Sequence, residues 1–354
     1  MQTHSNFRLL IVRLGAMGDI LHALPAVTAL RIAHPEWVID WVVEPRWRAL
    51  LAAEGSTGRN STQPLVDRLY LAPTKEWRKA PMSRKTLHEI LVLRSALRAS
   101  AYDAVLDLQG AVRSALVARL AGCPRRIGEA EPREKIACWL FTERVATRGA
   151  HVIEQDVELT SAVDGDNLNF VQPWLPVNPV AEAWAGELLP ASASKPTVLI
   201  NPGAGWGAKR WPAERYAAVA QGLVQRGVFV VVNAGPGEEQ LSDAIVHESS
   251  GAATPLACSL GQLIAVTRRV ALVIAGDTGP LHLACALGRP EVGIYGPTDP
   301  SRNGPFGTRC KVLRSAESRR DHTRHAAPEA GLLTITPEEV LQAADELLAP
   351  ETAR

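Results

Sequence analysis

Short apolar runs of strand length recur along the chain, and each is followed by a turn rich in Gly or Pro and then by a segment with helical spacing. In the clearest case residues 270–274 are a compact apolar run, after which Leu281, Leu283, Ala284 and Leu287 follow at helical spacing. Strands that alternate with helices predict a largely parallel sheet, because parallel neighbours need a crossover connection. The predicted fold class is therefore α/β, with helices on both faces of the sheet.

The same alternation occurs in both halves of the chain and predicts two domains, which 354 residues with 46% apolar content can supply. A proline-rich stretch around one short helical segment separates the halves. We predict an N-terminal domain over 1–175, a linker over 176–196, a C-terminal domain over 197–336, and a closing helix and tail over 337–354. The predicted strands are 7–14, 38–43, 103–108, 197–201, 228–233, 270–274 and 292–295, and the predicted helices include 20–33, 111–121, 212–226 and 337–348.

Composition excludes several classes of protein. Thirty-eight basic and 37 acidic residues leave a net charge of +1, so the chain as a whole is not a polyanion-coating protein. Five cysteines without a C-x-x-C pair argue against a disulfide framework and are typical of a reducing cytoplasm. No apolar run approaches the roughly 20 residues of a membrane span, which leaves contact with a membrane surface open.

The turn after residues 270–274 has the features of an anion site. Asp277 and Thr278 stand where a helix is capped, and Pro280 suits the first helical turn. The free amides and positive dipole end of such a helix favour a phosphate, and His282 adds a polar ring on the first turn. A well-capped helix without any ligand explains the same residues, so both interpretations stand.

Charged residues follow two other predicted strands of the second half. Lys209 and Arg210 end a glycine-rich loop and could neutralise phosphate charge, and Glu238 on the next loop could accept hydrogen bonds from ribose hydroxyls. Ligands of open α/β sheets bind just outside the carboxyl ends of the strands. As solvated loop charges these residues would be unremarkable, but their joint position favours a nucleotide diphosphate pocket.

Asp19 is the clearest candidate for a catalytic residue in the first half of the chain. It follows Gly18 at the predicted start of a helix, where an Asp is most simply an N-cap. A carboxylate at the end of the first strand is also where a general base for a sugar hydroxyl would stand. The residues alone do not separate these alternatives.

A basic segment in the first half could meet an acidic partner, nucleic acid included, although such charge is usually a solvated helix face. Its members are Lys75, Arg78, Lys79, Arg84, Lys85, Arg94 and Arg98, opposed by Glu76 and Glu89, and Arg113, Arg125, Arg126, Arg133 and Lys135 would join it if the fold brings them near. The chain has no zinc-type spacing, P-loop, G-x-S-x-G or catalytic Cys arrangement. Gly15 and Gly18 do not form G-x-G-x-x-G, which disfavours a dinucleotide-dependent oxidoreductase.

Three long motifs resemble the lipopolysaccharide heptosyltransferases of glycosyltransferase family nine. They are RLGAMGDILHALPAVTAL, NPGAGWGAKRWP and GDTGPLHLACALGRPEVGIYGPTDP, and their order and spacing extend the resemblance over almost the whole chain. Within the family, KEWRKAP, DAVLDLQGAVRSALVARLAG and the REKIA run are most similar to the heptosyltransferase I group, which adds the first inner-core heptose to Kdo-lipid A.

The resemblance implies a GT-B fold, in which two Rossmann-like domains with parallel sheets face each other across a cleft. It implies an inverting transfer from ADP-heptose to Kdo-lipid A by a cytoplasmic monomer at the inner face of the inner membrane, with no nucleic acid, metal or other cofactor. Alternatives are heptosyltransferase II, another family-nine transferase with a different sugar nucleotide, and a non-catalytic nucleotide-sugar binding protein. By motif position the implied residues are the catalytic base Asp19, the donor-binding Lys209, Glu238, Asp277, Thr278, Gly279 and His282, and the acceptor-binding Lys75, Arg78, Lys79 and Arg133.

The chain departs from the family pattern in three places. Gly15 and Ala16 replace the polar residues common before the Met-Gly-Asp turn, and Glu76 stands where a basic residue is common. Ala204 and Gly205 replace frequent Thr or Ser residues of the middle motif. The second and third changes bear on acceptor and donor contacts, and none of them touches Asp19, Lys209 or His282.

Overall fold

The computed structural model describes residues 7–189, 195–321, 323 and 325–349. The chain separates into two compact units, Met1–Val177 and Asn178–Arg354. Each unit contains one six-stranded sheet whose strand pairings are all parallel. The predicted α/β class is confirmed.

In its described part, residues 7–177, the first unit contains a sheet of strand order β3-β2-β1-β4-β5-β6 and five α-helices. Its strands are β1 (Arg8–Val12), β2 (Val38–Val43), β3 (Arg68–Leu71), β4 (Ala104–Asp107), β5 (Arg126–Glu129) and β6 (Glu143–Val145). Its helices are α1 (Met17–Ala33), α2 (Thr74–Lys79), α3 (Arg84–Ala99), α4 (Val112–Leu120) and α5 (Val152–Ser161), with 3₁₀ helices at Pro45–Leu50 and Lys135–Leu140.

The second unit repeats this architecture with strand order β12-β11-β10-β7-β8-β9. Its strands are β7 (Thr197–Asn201), β8 (Phe229–Asn233), β9 (Ala253–Leu256), β10 (Leu272–Gly276), β11 (Glu291–Tyr295) and β12 (Cys310–Arg314). Its helices are α6 (Pro179–Leu188), α7 (Ala213–Gln225), α8 (Glu239–Glu248), α9 (Leu260–Arg269), α10 (Gly279–Ala286), α11 (Pro300–Asn303) and α12 (Pro337–Leu348), with 3₁₀ helices at Gly207–Lys209 and Leu332–Thr334.

The central strands are continuous apolar runs because both faces of each sheet are covered. Leu9, Leu10, Ile11 and Val12 of β1 are completely buried. Helix α1 packs against α5 and continues through Pro25 without a break.

Both sheets share one topological feature that positions ligands. The chain leaves β1 towards β2 and β3 and then returns to form β4 on the other side of β1, and β7 and β10 have the same relation in the second unit. Open α/β sheets bind ligands at such switch points, outside the carboxyl ends of the two central strands. Functional residues are therefore expected in the loops after β1, β4, β7 and β10.

The boundary between the units differs from the predicted linker over 176–196. Helix α6 lies within that range, but it packs against α9 of the second unit, where Ala181 and Ala185 are buried and Glu182 accepts a hydrogen bond from Arg268 Nη1 at 2.7 Å. Residues 190–194 lie outside the described part. Helix α12 likewise packs against α7, β11 and β12, so it belongs to the core of the second unit.

No helix of the described residues is both long and apolar enough to cross a bilayer.

Candidate active site

Asp19 lies in the loop-to-helix turn that follows β1, at the switch point of the first sheet. Helix α1 begins at Met17 with Ala16 as its N-cap, so the N-cap interpretation of Asp19 is wrong. Asp19 is instead in the first helical turn, where its Oδ2 accepts the Ala16 N–H at 2.9 Å. Its side chain remains 39% exposed, which leaves the carboxylate within reach of a substrate.

Arg13 contacts both the backbone and the side chain of Asp19. Its Nε donates to the Asp19 carbonyl at 3.1 Å, and its Nη2 lies 3.8 Å from Asp19 Oδ1, while the Arg13 side chain is only 8% exposed. A buried guanidinium beside the carboxylate stabilises the negative charge and limits its orientation. Arg13 is thus a positioning residue that sequence reasoning missed.

Two buried carboxyl groups interact electrostatically with Arg13. Burial raises the pKa of Asp107, at the end of β4, to about 6. Hydrogen bonds from Gly110, Ser114 and Gln109 and the charge of Arg13 lower this pKa but do not outweigh burial. Burial also raises the pKa of Asp156 on α5 to about 7, opposed by Arg13 and assisted by Asp19. The partly exposed Asp19 and the buried Asp107 and Asp156 therefore all interact with the charge of Arg13.

The structure explains Gly15, one of the two residues of the first departure from the family pattern. Its φ of 151° is one that residues with a side chain rarely adopt, and a Cβ added there would lie 2.6 Å from Trp47 Nε1. The indole of Trp47 therefore occupies the place that a polar side chain would need.

Four cations gather beyond the carboxyl ends of β2, β3 and β4. Partial burial lowers the pKa of Lys75, and the nearby charges of Arg46, Arg113 and Arg78 lower it further, partly offset by Glu44. Like charges held close together favour an anionic ligand. The structure thus brings the predicted Lys75 and Arg78 together and adds Arg46, which sequence reasoning missed, and Arg113, which it included only on condition of the fold.

Lys79 and Arg133 are placed differently. Lys79 Nζ binds Glu76 Oε1 at 2.8 Å on the surface, so the departure at Glu76 supplies a partner for this lysine. The exposed Arg133 has its backbone against Gly110, in the loop after β4. Both residues lie on the carboxyl side of the sheet, and their acceptor-binding role stays a prediction.

Lys209 and Asp277 form a buried ion pair at the switch point of the second sheet. Lys209 ends the loop after β7, Asp277 directly follows β10, and Lys209 Nζ bonds Asp277 Oδ2 with side-chain exposures of 11% and 4%. His282 Nε2 lies 3.4 Å from Asp277 Oδ1. Burial by itself would raise the pKa of Asp277, but the hydrogen bond from His282 and the charge of Lys209 outweigh it and hold this pKa well below its usual range.

The indole of Trp206 completes the position of Lys209. Lys209 Nζ lies 4.2 Å from the centroid of the Trp206 ring, which is a cation–π distance. Carboxylate and ring together fix the ammonium group between the two central loops of the sheet. Trp206 is a further residue that sequence reasoning missed.

The start of α10 offers fewer amides than the sequence suggests. Thr278 is the N-cap, but its hydroxyl donates to Gly276 O at 3.2 Å and caps no amide. Pro280 has no N–H, and the Leu281 amide donates to Thr278 O at 3.1 Å. The donors left at this helix start are therefore the backbone N–H groups of Thr278 and Gly279, which have no acceptor within the helix.

Glu238 joins the loops after β7 and β8. Its Oε1 accepts the Ala204 N–H and its Oε2 the Gly235 N–H, each at 3.3 Å. Each oxygen keeps further lone-pair capacity for a hydroxyl group. The carboxylate is therefore oriented by backbone donors at the same edge as Lys209, which suits the predicted contact with a ribose.

A separate cluster lies at the far end of α1. His34, Asp164 and Asp166 are close enough to hold a metal ion, with His34 Nε2 bound to Asp164 Oδ2 and stacked on Trp37 at 3.9 Å. Helix α1 separates this group from Asp19 by about 20 Å at 1.5 Å per residue. The cluster is therefore remote from the carboxyl edge of the first sheet.

Comparison with known proteins agrees with this geometry. The model of Glycosyltransferase family 9 (heptosyltransferase) matches residues 90–332. Lipopolysaccharide heptosyltransferase 1 of Escherichia coli (strain K12) is 31% identical over 340 residues, 95% of this chain and 98% of the relative. Lipopolysaccharide heptosyltransferase 2 of that strain is 26% identical over 367 residues, 98% of this chain and 100% of the relative.

A solved structure, E. coli heptosyltransferase WaaC with ADP-2-deoxy-2-fluoro heptose, matches with a TM-score of 0.76 at 27% identity and covers 96% of this chain and 99% of its own. The family match spans more than half of the sequence, and the fold agrees with that of a GT-B heptosyltransferase. The chain therefore belongs to glycosyltransferase family 9, the heptosyltransferases, and is a glycosyltransferase.

Proposed function

We propose that this chain transfers heptose from ADP-heptose to a Kdo hydroxyl of Kdo-lipid A, with inversion at the anomeric carbon, in synthesis of the lipopolysaccharide inner core. The names of its relatives support heptose transfer to lipopolysaccharide, and a related structure holds an ADP-heptose analogue. The observation that carries the proposal is the pair of switch points, with Asp19 at one and the Lys209–Asp277 pair at the other.

Asp19 acts as the general base in this reaction. As the acceptor oxygen bonds to the anomeric carbon, Asp19 takes the hydroxyl proton and the bond between that carbon and the donor phosphate oxygen breaks. A carboxylate suffices for this step when the sugar is already oxocarbenium-like. Arg13 keeps the carboxylate oriented, and the partial exposure of Asp19 lets the acceptor approach it.

The second unit receives the leaving group. The electron pair of the broken bond departs with ADP, whose terminal phosphate gains negative charge. Lys209 and the amides of Thr278 and Gly279 stabilise that charge, while Asp277 and His282 hold Lys209 and the helix start in place. Glu238 accepts hydrogen bonds from the ribose hydroxyls.

The acceptor lies at the cations of the first unit. Kdo and the phosphates of lipid A are anionic, and Lys75, Arg78, Arg46 and Arg113 supply the matching charge at the sheet edge that bears Asp19. Arg133 and Lys79 extend this cluster towards the surface. Because ADP-heptose is cytoplasmic and the acceptor lies at the inner membrane, the enzyme acts at the surface of that membrane.

A direct assay tests the proposal. The purified enzyme is incubated with a panel of ADP- and UDP-sugars and with Kdo-lipid A or the acceptor that already bears one heptose, and products are identified by mass spectrometry and NMR. We expect one heptosyl residue on Kdo, from ADP-heptose alone and with inverted configuration. Transfer only from another sugar nucleotide, or only to the heptosylated acceptor, would contradict it.

A further inference from the structure

One outer face of the first unit combines exposed apolar side chains with basic ones. Helix α4 packs against both α3 and the 3₁₀ helix Lys135–Leu140, so α4 lies between them. We call the outward side of these three elements the outer layer. Its exposed apolar residues are Leu87 (44%), Leu91 (57%) and Val92 (55%) on α3, Leu116 (51%) on α4, and Ile136 (69%) and Trp139 (76%) on the 3₁₀ helix.

The outer layer covers one face of the sheet. Leu93 and Leu97 of α3 and Val117 of α4 pack into the same core cluster as Val105 of β4. The opposite sides of these two helices therefore point away from the sheet, and this is the side that bears the exposed leucines. Apolar residues scattered singly over a surface need no explanation, but a set on three neighbouring elements marks an interaction site.

Basic residues run through the apolar ones on α3. Leu87 and Leu91 lie on one helical stripe with Arg84, Arg94 and Arg98, because these positions are separated by three or four residues. The acid of this helix, Glu89, accepts a hydrogen bond from Trp77 Nε1 at 2.8 Å and so is tied to α2. The stripe thus presents apolar side chains between arginines.

The other two elements repeat the combination. Leu116 of α4 has the exposed Arg119 as a neighbour on its own helix. Beside Ile136, Trp139 carries the Arg144 guanidinium 5.2 Å from its ring centroid. An indole with a cation beside it suits the boundary between headgroups and acyl chains.

We propose that the outer layer docks on the surface of an anionic lipid bilayer. Apolar side chains enter the headgroup region while arginines contact lipid phosphates, which is how basic amphipathic helices bind membranes. Leucine, isoleucine and valine offer little to nucleic acid, whose recognition uses stacking and polar contacts. The inference deepens the proposed function and rests on it for its purpose, since α3 and α4 both begin at the sheet edge that bears Lys75 and Arg113.

Vesicle binding without acceptor tests the docking surface by itself. The full chain is sedimented with vesicles of phosphatidylglycerol and phosphatidylcholine, or of phosphatidylcholine alone, at increasing salt. We expect binding to the anionic vesicles that salt weakens, and partition about tenfold lower for Leu87→Ser/Leu91→Ser and for Arg94→Glu/Arg98→Glu. Val180→Ser, at a site 78% exposed on α6, and Arg319→Glu in the second unit are the matched controls and should bind as the wild type does.

Three results would overturn the proposal. The first is wild-type protein that does not bind anionic vesicles, and the second is stripe variants that bind them as well as the controls do. The third is a leucine variant that changes only the oligomeric state, because a second copy of the chain would then cover the outer layer. Transfer assays separate this from the proposed function. The stripe variants should slow transfer to Kdo-lipid A in vesicles while transfer to detergent-dispersed acceptor stays unchanged, whereas absence of transfer to either acceptor defeats the proposed function and leaves the vesicle result standing.

Discussion

Lys209 and Asp277 depend on each other for charge compensation, because both side chains are buried and, within the described residues, neither has another full charge of opposite sign as close as its partner. Removing one member of a buried pair leaves the other charge uncompensated in a poorly solvated place. We therefore expect the pair to contribute both to the stability of the second unit and, through the proposed mechanism, to donor affinity, and a single substitution changes both quantities at once.

We predict that Lys209→Met destabilises the second unit by about 3 kcal/mol and weakens ADP binding by at least about tenfold. Adding Asp277→Asn should restore most of the stability, because the unpaired charge is gone, but should not restore affinity. Urea unfolding and calorimetric titration with ADP measure the two effects. Lys195→Met, at an exposed lysine before β7, is the control, and wild-type ADP affinity in Lys209→Met would refute the donor role.

At the residue level, sequence reasoning found side chains whose neighbours are close along the chain and missed those brought near by folding. Lys209, Asp277 and His282 were predicted from their motifs, and the structure places them together. Arg46 was missed, since its relation to Lys75 depends on the order of β2 and β3 in the sheet. Arg13 was missed because an arginine at a strand end looks like a solvated charge until its burial is known.

At the scale of elements, the loops after β7 and β8 are coupled through Glu238. A Cβ added to Gly203 would lie 2.2 Å from Glu238 Oε2, whereas one added to Gly205 meets nothing within 4 Å. The end of a flexible side chain can move away, so an alanine at Gly203 displaces the carboxylate and leaves the fold intact.

We predict that Gly203→Ala raises the KM for ADP-heptose by about tenfold with little change in melting temperature, because Glu238 loses its contacts with backbone amides and its orientation towards the ribose. Gly205→Ala in the same loop is the matched control and should behave as the wild type. Steady-state kinetics and thermal unfolding provide the comparison. Equal KM values for the two variants would show that the orientation of Glu238 does not matter.

The contact between α1 and α5 should depend on pH through Asp156. Unfolded, this carboxyl titrates near its usual pKa of about 3.9, and folded at about 7. Between these values the folded state keeps a proton that the unfolded state releases, so stability falls as pH rises through this window and is lowest above it. We predict that Asp156→Asn gains about 1 to 3 kcal/mol over the wild type at pH 8 and little at pH 4.

Urea unfolding of wild type and Asp156→Asn at several pH values measures this difference. Glu54→Gln, at an exposed carboxylate of the first unit, is a control that should not alter the pH dependence in this way. A wild type whose stability rises from pH 5 to pH 8 as much as that of Asp156→Asn would contradict the assignment.

Elements were predicted well where both faces are buried and poorly at the sheet edges. The predictions of 38–43, 197–201 and 337–348 match β2, β7 and α12. Strand β12 was missed because it is a partly exposed edge strand with Lys311 and Arg314 in it, so it lacks the apolar run of a central strand. Helix α1 was predicted to begin three residues late, since Gly18 indicates a turn and the helix includes it.

At the scale of the whole molecule, two sheets of the same strand order carry different parts of the proposed active site. The proposed base and acceptor cations belong to the first unit, and the proposed leaving-group site belongs to the second. This division could be predicted from the repeated alternation in the sequence. The unit boundary could not, because only packing against α9 assigns α6 to the second unit.

The division also makes the central claim testable by one comparison. Asp19→Asn keeps the size of the side chain and removes its charge, so we expect a folded protein that binds ADP as the wild type does and transfers heptose about 10² to 10⁴ times more slowly in a single turnover. Near wild-type transfer by this variant, with a normal melting temperature, would contradict the assignment of Asp19 as the base.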